Sequence, residues 1–289
     1  MSKKIILLLA AIITFACVSA KSLQSYKGKV KNGYNFWLSA PAKTDSIKKP
    51  LVIFLHGASL QGSNLNKVLR YGTLDAISKG LDIDGYVMAP QTIGAWQPQK
   101  VMNTADYVIA SHSDIDTDRI YVIGMSLGGY GTIDMAATYP DRIAAAIAMC
   151  GGASVKNLEG LGDVPLWIIH GTADAAVSVS QSDRVVSAIK NSDSKGERLT
   201  YDRVPGMNHS QPARMFYLPE SYDWLFKHRL SDKDRNIADT FTVNGSTLKS
   251  AYAGLKFNRR SSGVKRSSKS AYAKKSSGKR KRSGRRSRA

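Results

Sequence analysis

Between Arg119 and Gly131 the chain reads Arg-Ile-Tyr-Val-Ile-Gly-Met-Ser-Leu-Gly-Gly-Tyr-Gly. The β-branched and aromatic side chains of 120–123 predict a short buried strand, and the residues beyond Ser126 have helical spacing. A chain that passes from strand to helix within Gly-Met-Ser-Leu-Gly has little freedom. The serine must take a strained backbone conformation that lifts its hydroxyl above the edge of a sheet. Gly124 and Gly128 are needed on either side, because a side chain there would strike the neighbouring strand or helix. The stretch reads as a nucleophile elbow, and the rest of the chain has to build a sheet around it.

The remaining pattern supplies that sheet. Apolar runs at 51–55, 86–91, 143–149, 165–169 and 199–204 predict strands, with a further early strand at 34–38. Continuous rather than alternating apolar character suits strands covered on both faces. Helical spacing at 65–79, 101–112, 132–138, 180–189 and 220–229 lies between and after them. Alternation of this kind predicts an α/β class protein with a mainly parallel, doubly wound sheet. The connection 151–164 is short and Gly-rich, so it holds no large cap domain, and the cleft is expected to be open.

Strand exits in such a sheet converge on one crevice. Ser126 stands at one of these exits. Asp174 follows the strand at 165–169 and His209 follows the strand at 199–204, so the chain order Ser126, Asp174, His209 is that of a catalytic triad on this architecture. In that arrangement His209 is the general base, Asp174 orients it, and Ser126 attacks a carbonyl carbon to give an acyl-enzyme. The strand at 51–55 ends in His56-Gly57-Ala58-Ser59, where one oxyanion amide is expected from Ala58, with Leu127 supplying the other. Because the loop is HGAS rather than a run of glycines, Ser59 is available for the same role. Gln91 and Trp96, at and beyond another strand exit, are candidates to line the substrate pocket.

Other polar residues have plainer readings. His56 is expected to fix its loop by hydrogen bonding and His170 to brace the acid loop. His112 and His228 lie away from the loop after the last strand. Cys150 reads as a small buried residue at a strand end. No HExxH, clustered Cys/His or DxDxDG pattern occurs, so neither a metal nor another cofactor is expected.

The two ends differ from the body. Lys3 and Lys4, an apolar run and small residues up to Ala20 predict a secretory signal peptide at 1–20, shorter than a membrane span. Acylation at Cys17 as a lipoprotein is the rival. Export to the periplasm or the medium follows. The formal net charge of +20 on 289 residues would suggest a polyanionic partner for the whole fold if it were spread evenly. It is concentrated instead after Asp239, where no acidic residue occurs and a dense Lys/Arg series runs to Arg288. We therefore divide the chain into the signal at 1–20, a catalytic domain at 21–230, a transitional segment at 231–258 with a short helix capped by Ser246, and a disordered tail at 259–289. The tail suits envelope lipid phosphates or acidic polysaccharide and carries no base-reading fold for sequence-specific nucleic acid.

The segments LVIFLHG at 51–57, APQ at 89–91, DTDRIYVIGMSLGGYGT at 116–132, PLWIIHGTADAAV at 165–177 and MNH at 207–209 resemble secreted α/β-hydrolase esterases of the phospholipase/carboxylesterase type, similar to polyhydroxybutyrate depolymerase-like and feruloyl-esterase-like proteins. The resemblance spans about 51–229. It implies a serine carboxylic-ester hydrolase without cofactor, acting on small-molecule or polysaccharide-linked acyl, acetyl or feruloyl esters. A serine peptidase of the same fold and a non-catalytic polyanion-binding protein are the alternatives. The histidine loop reads GMNHS, whereas relatives more often follow Gly-His with an acid.

Overall fold

The computed structural model describes residues 21–41, 47–192, 196–253 and 255. The expected signal peptide and basic tail lie outside them. Eight strands form one sheet in the order β1-β2-β4-β3-β5-β6-β7-β8. β1 (Ser22–Tyr26), β2 (Asn35–Ala40) and β4 (Tyr86–Gln91) pair antiparallel. β3 (Lys49–Leu55), β5 (Ile115–Met125), β6 (Ala145–Met149), β7 (Leu166–Gly171) and β8 (Leu199–Val204) continue the sheet from β4 in parallel. β1 is the one strand that the apolar pattern misses. It is an edge strand whose side chains are mostly exposed, so it carries no buried face to read.

The period-two alternation of each strand divides its apolar residues between two cores. Val52, Phe54, Tyr121, Ile123, Ile147, Met149, Trp167 and Ile169 face one side, with Phe216 and Trp224 packed over them. Leu51, Ile53, Leu55, Ile120, Val122, Ala148 and Ile168 face the other. On that second side lie α2 (Pro98–Ser111), α3 (Leu127–Thr138) and α4 (Ser180–Lys190). The first side takes α1 (Thr73–Ser78), α5 (Pro219–Phe226) and α6 (Gly245–Ser250). Helices on both faces make the sheet doubly wound, as expected.

Two boundaries depart from expectation for local reasons. The helix expected at 65–79 is a 3₁₀ turn at Leu65–Leu69 followed by the short α1, and Gly72 between them has φ 94°. A β-carbon on Gly72 would stand 2.1 Å from the Phe54 ring, so the chain passes the first core here only as glycine. At the C-terminal end the cap of α6 is Asn244, not Ser246. Its side chain accepts from the amides of Ser246 and Thr247, and the helix ends at Ser250.

Candidate active site

Every candidate residue sits at or beyond the carboxyl end of a strand of the parallel part of the sheet. Ser126 follows β5 directly with φ 58° and ψ −122°, a strained region for a residue with a side chain. The close packing foreseen around it is present. A β-carbon on Gly124 would lie 2.3 Å from the Gly128 carbonyl oxygen, and one on Gly128 would lie 1.9 Å from that of Leu55. The Ser126 amide donates to the Met149 carbonyl at 2.8 Å, which ties the elbow to the end of β6. Helix α3 starts at Leu127, so the Leu127 amide is one of the N-terminal donors that no helical carbonyl can reach.

The acid and histidine loops are joined to one another before their side chains meet. The Thr172 amide donates to Val204, the Ala173 amide to Met207, and the Gly206 amide to the Thr172 hydroxyl. Gly171 allows the approach, since a β-carbon there would lie 2.0 Å from the Met207 carbonyl oxygen. Asp174 then accepts from the amides of Ala176 and Val177 on Oδ1, both at 2.8 Å. Its Oδ2 lies 2.6 Å from His209 Nδ1, with the carboxylate side chain wholly buried and the imidazole 27% exposed. Burial opposes the charge on Asp174, but the Val177 and Ala176 amides, His209 and the Cys150 thiol outweigh it and hold the carboxyl below its usual range.

His209 Nε2 and the Ser126 hydroxyl make no hydrogen bond among the described residues, while Nδ1 is committed to Asp174. Cys150 follows β6 with φ 48°. Its thiol contacts the His209 carbonyl at 3.9 Å and belongs to a cluster with Asp174 and His209 whose polar atoms all lie within 4.8 Å. Burial first, then the Asp174 charge, pushes the thiol pKa far up. Cys150 is thus a neutral donor beneath the acid and not a nucleophile.

The other histidines behave as scaffold. His56 is buried, receives the Thr92 amide on Nε2 at 3.2 Å and so directs its Nδ1 hydrogen to the Gly57 carbonyl at 2.8 Å. Burial pushes its pKa down to about 4. His170 Nε2 faces two acceptors, the Val177 carbonyl at 3.0 Å and Asp174 Oδ2 at 3.3 Å, so that nitrogen carries the hydrogen. Its Nδ1 meets the Ser182 hydroxyl at 2.8 Å. Ser182, which no sequence pattern marks, thereby joins α4 to the acid loop.

The turn after β3 is a 3₁₀ turn, Ala58–Leu60. The Gly57 amide is used by the Tyr71 hydroxyl at 3.1 Å, and the Leu60 amide by the Gly57 carbonyl at 3.1 Å. The Ala58 and Ser59 amides have no acceptor among the described residues, so both alternatives for the first oxyanion donor stay available.

Gln91 and Trp96, expected to line the pocket, are placed differently. They are 6% and 5% exposed, behind this turn. Gln91 donates to the carbonyls of Leu60 and Asn64, and Trp96 donates to that of His56. Both side chains are buried with backbone acceptors close by, and they brace the chain around this turn. The open depression beside the imidazole is lined by Ala173, Ala175, Ala176, Asn208, His209 and Ser210. Among the described residues no cap domain follows β6; the connection holds only a 3₁₀ turn, Glu159–Asp163.

Residues 88–220 match the family model described as phospholipase/carboxylesterase. The chain is 27% identical over 167 residues to the bifunctional acetylxylan esterase/xylanase XynS20E of Neocallimastix patriciarum, covering 56% of this chain and 24% of that protein. It is 43% identical over 61 residues to poly(3-hydroxyalkanoate) depolymerase C of Paucimonas lemoignei, covering 21% of this chain and 14% of that one. The chain thus spans a quarter or less of the length of these relatives. Among solved structures, a thermostable esterase superposes with a TM-score of 0.57 at 24% identity, over 73% of this chain and 64% of its own. The fold is that of the α/β-hydrolases.

Proposed function

We propose that this chain is an exported serine carboxylic-ester hydrolase with Ser126 as nucleophile, His209 as base and Asp174 as orienting acid. The observation that carries the reading is the 2.6 Å Asp174–His209 contact at the same sheet edge as the strained Ser126. Asp174 fixes the Nδ1–H tautomer of His209, which leaves a lone pair on Nε2 for the serine proton. As Nε2 takes that proton, Oγ bonds to the ester carbonyl carbon and the carbonyl oxygen gains the charge. The Leu127 amide, with that of Ala58 or Ser59, stabilises this oxygen. His209 returns the proton to the leaving alcohol, and a water molecule repeats the sequence on the acyl-enzyme.

Acetyl, short acyl and feruloyl esters, including those attached to polysaccharide, are the proposed substrates. An uncapped cleft admits bulky alcohols, and a matched relative is named an acetylxylan esterase. Hydrolysis of p-nitrophenyl acetate by the wild type and by Ser126→Ala tests the reading, with a peptide p-nitroanilide as the amide control. Loss of ester turnover in the variant is expected; equal rates in both proteins would refute the proposal.

A further inference from the structure

The turn that carries the oxyanion amides has a neighbour from outside it. Tyr71 reaches over from the segment before α1, and its hydroxyl oxygen accepts the Gly57 amide at 3.1 Å. The side chain is held firmly. Its ring packs against the first core, the next residue is pinned against Phe54, and the Gly72 amide is held by the Tyr217 hydroxyl at 3.3 Å. A β-carbon built on Gly57 would lie 2.9 Å from the Tyr71 hydroxyl and 3.5 Å from the Ser126 β-carbon. The phenol and the serine therefore share the same side of the same glycine.

Counting hydrogens decides what the phenol can do there. A tyrosine hydroxyl accepts through its lone pairs and donates once. The Gly57 N–H occupies a lone pair, because an amide nitrogen only donates. The Ser59 hydroxyl stands at 3.5 Å, the outer limit of a hydrogen bond. Among the described residues the Tyr71 hydrogen has no other acceptor. A donor lacking a close acceptor, on a rigid side chain beside the nucleophile, is suited to a negative oxygen that exists only during reaction.

We infer that the Tyr71 hydroxyl is a third oxyanion donor, acting with the backbone amides on the tetrahedral intermediate formed at Ser126. The inference rests on the serine-esterase reading above. The hydroxyl keeps its proton throughout; it shortens its hydrogen bond as the carbonyl oxygen becomes an alkoxide and lengthens it when the acyl-enzyme forms.

The test is Tyr71→Phe, which keeps the packed ring, assayed on p-nitrophenyl acetate beside wild type and Ser126→Ala. Expected is a fall in kcat of about 10²-fold with KM within about twofold, the size seen when one oxyanion donor is removed. Affinity for a trifluoromethyl ketone, which forms the same oxyanion, should fall by a similar factor with the melting temperature little changed. Tyr71→3-fluorotyrosine separates donor from acceptor, since fluorine strengthens the former and weakens the latter. A donor role keeps or tightens ketone binding, whereas weaker binding makes Tyr71 only a prop for Gly57 and overturns the inference. A Tyr71→Phe kcat within twofold of wild type, with Ser126→Ala inactive, overturns it and leaves the esterase reading standing. A wild type without ester turnover, or a Ser126→Ala protein equal to it, overturns both.

Discussion

Replacing Asp174 by Asn removes one charge and leaves the shape nearly unchanged, and the structure dictates how the carboxamide must sit. Oδ1 receives two backbone amides, from Ala176 and Val177, each at 2.8 Å. Turning the new NH₂ toward them would set donors against donors in a buried place, at about 1–3 kcal/mol for each amide left without an acceptor. The carbonyl oxygen therefore takes the Oδ1 position and the NH₂ group takes that of Oδ2. There it faces His209 Nδ1 at what was a 2.6 Å contact. Two N–H groups cannot share that line, so His209 moves its hydrogen to Nε2. Nε2 then has no lone pair for the serine proton. Loss of the correct tautomer is worth about 10⁴ in kcat, or roughly 5.5 kcal/mol of barrier. The assay is kcat on p-nitrophenyl acetate, with labelling of Ser126 by a fluorophosphonate as a second measure of nucleophilicity. Thermal melts establish that the variant is folded. An Asp174→Asn protein that melts like wild type and keeps kcat within tenfold would refute the assignment of Asp174, and with it the tautomer argument.

Two further outcomes follow from groups away from the reacting atoms. His56 is buried with its pKa lowered to about 4, so the unfolded chain takes up a proton below pH 6.5 that the native state refuses until about pH 4. Stability is therefore lost as pH falls through that window, by about 3 kcal/mol for this group. His170 and His228 are shifted in the same direction by burial, so the contribution of His56 is read as a difference from His56→Gln in urea midpoints at pH 7 and pH 4.5. Parallel pH curves for the two proteins would reject it. For the cationic end of the chain, deletion of 259–289 should leave ester turnover unchanged and lower retention on an anionic matrix at low salt. Unchanged retention would reject polyanion binding by this tail.

The parts of this protein that were legible in its sequence are those fixed by short-range sterics and by period. Gly124 and Gly128 announce a close approach because nothing larger fits: Gly124 meets the Gly128 carbonyl within the turn itself, and Gly128 meets the Leu55 carbonyl on the neighbouring strand β3. The strands β3, β5, β6 and β7 are readable because both of their faces are buried, while β1, exposed at the edge, leaves no pattern. Asp174 and His209 could be placed at strand exits, but the bonds from Thr172 and Ala173 that join their loops are backbone contacts between distant segments and have no side-chain signature.

Gln91 and Trp96 show the opposite limit, a position legible without its orientation. A strand exit is enough to bring them near the crevice and not enough to say which way they point, and their hydrogen-bonding ends meet the carbonyls of Leu60, Asn64 and His56. Tyr71 goes one step further. Helical spacing across 65–79 gives it the position of a core residue, and in a continuous helix it would be one more apolar contact. The helix breaks because Gly72 has to pass the Phe54 ring, a contact between segments 18 residues apart. That break lets the phenol accept the Gly57 amide, with no close acceptor for its own hydrogen among the described residues. In the Tyr71 proposal the Phe54–Gly72 contact is the core requirement that places the donor, so a constraint on one side of the sheet sets the position of a group at its edge.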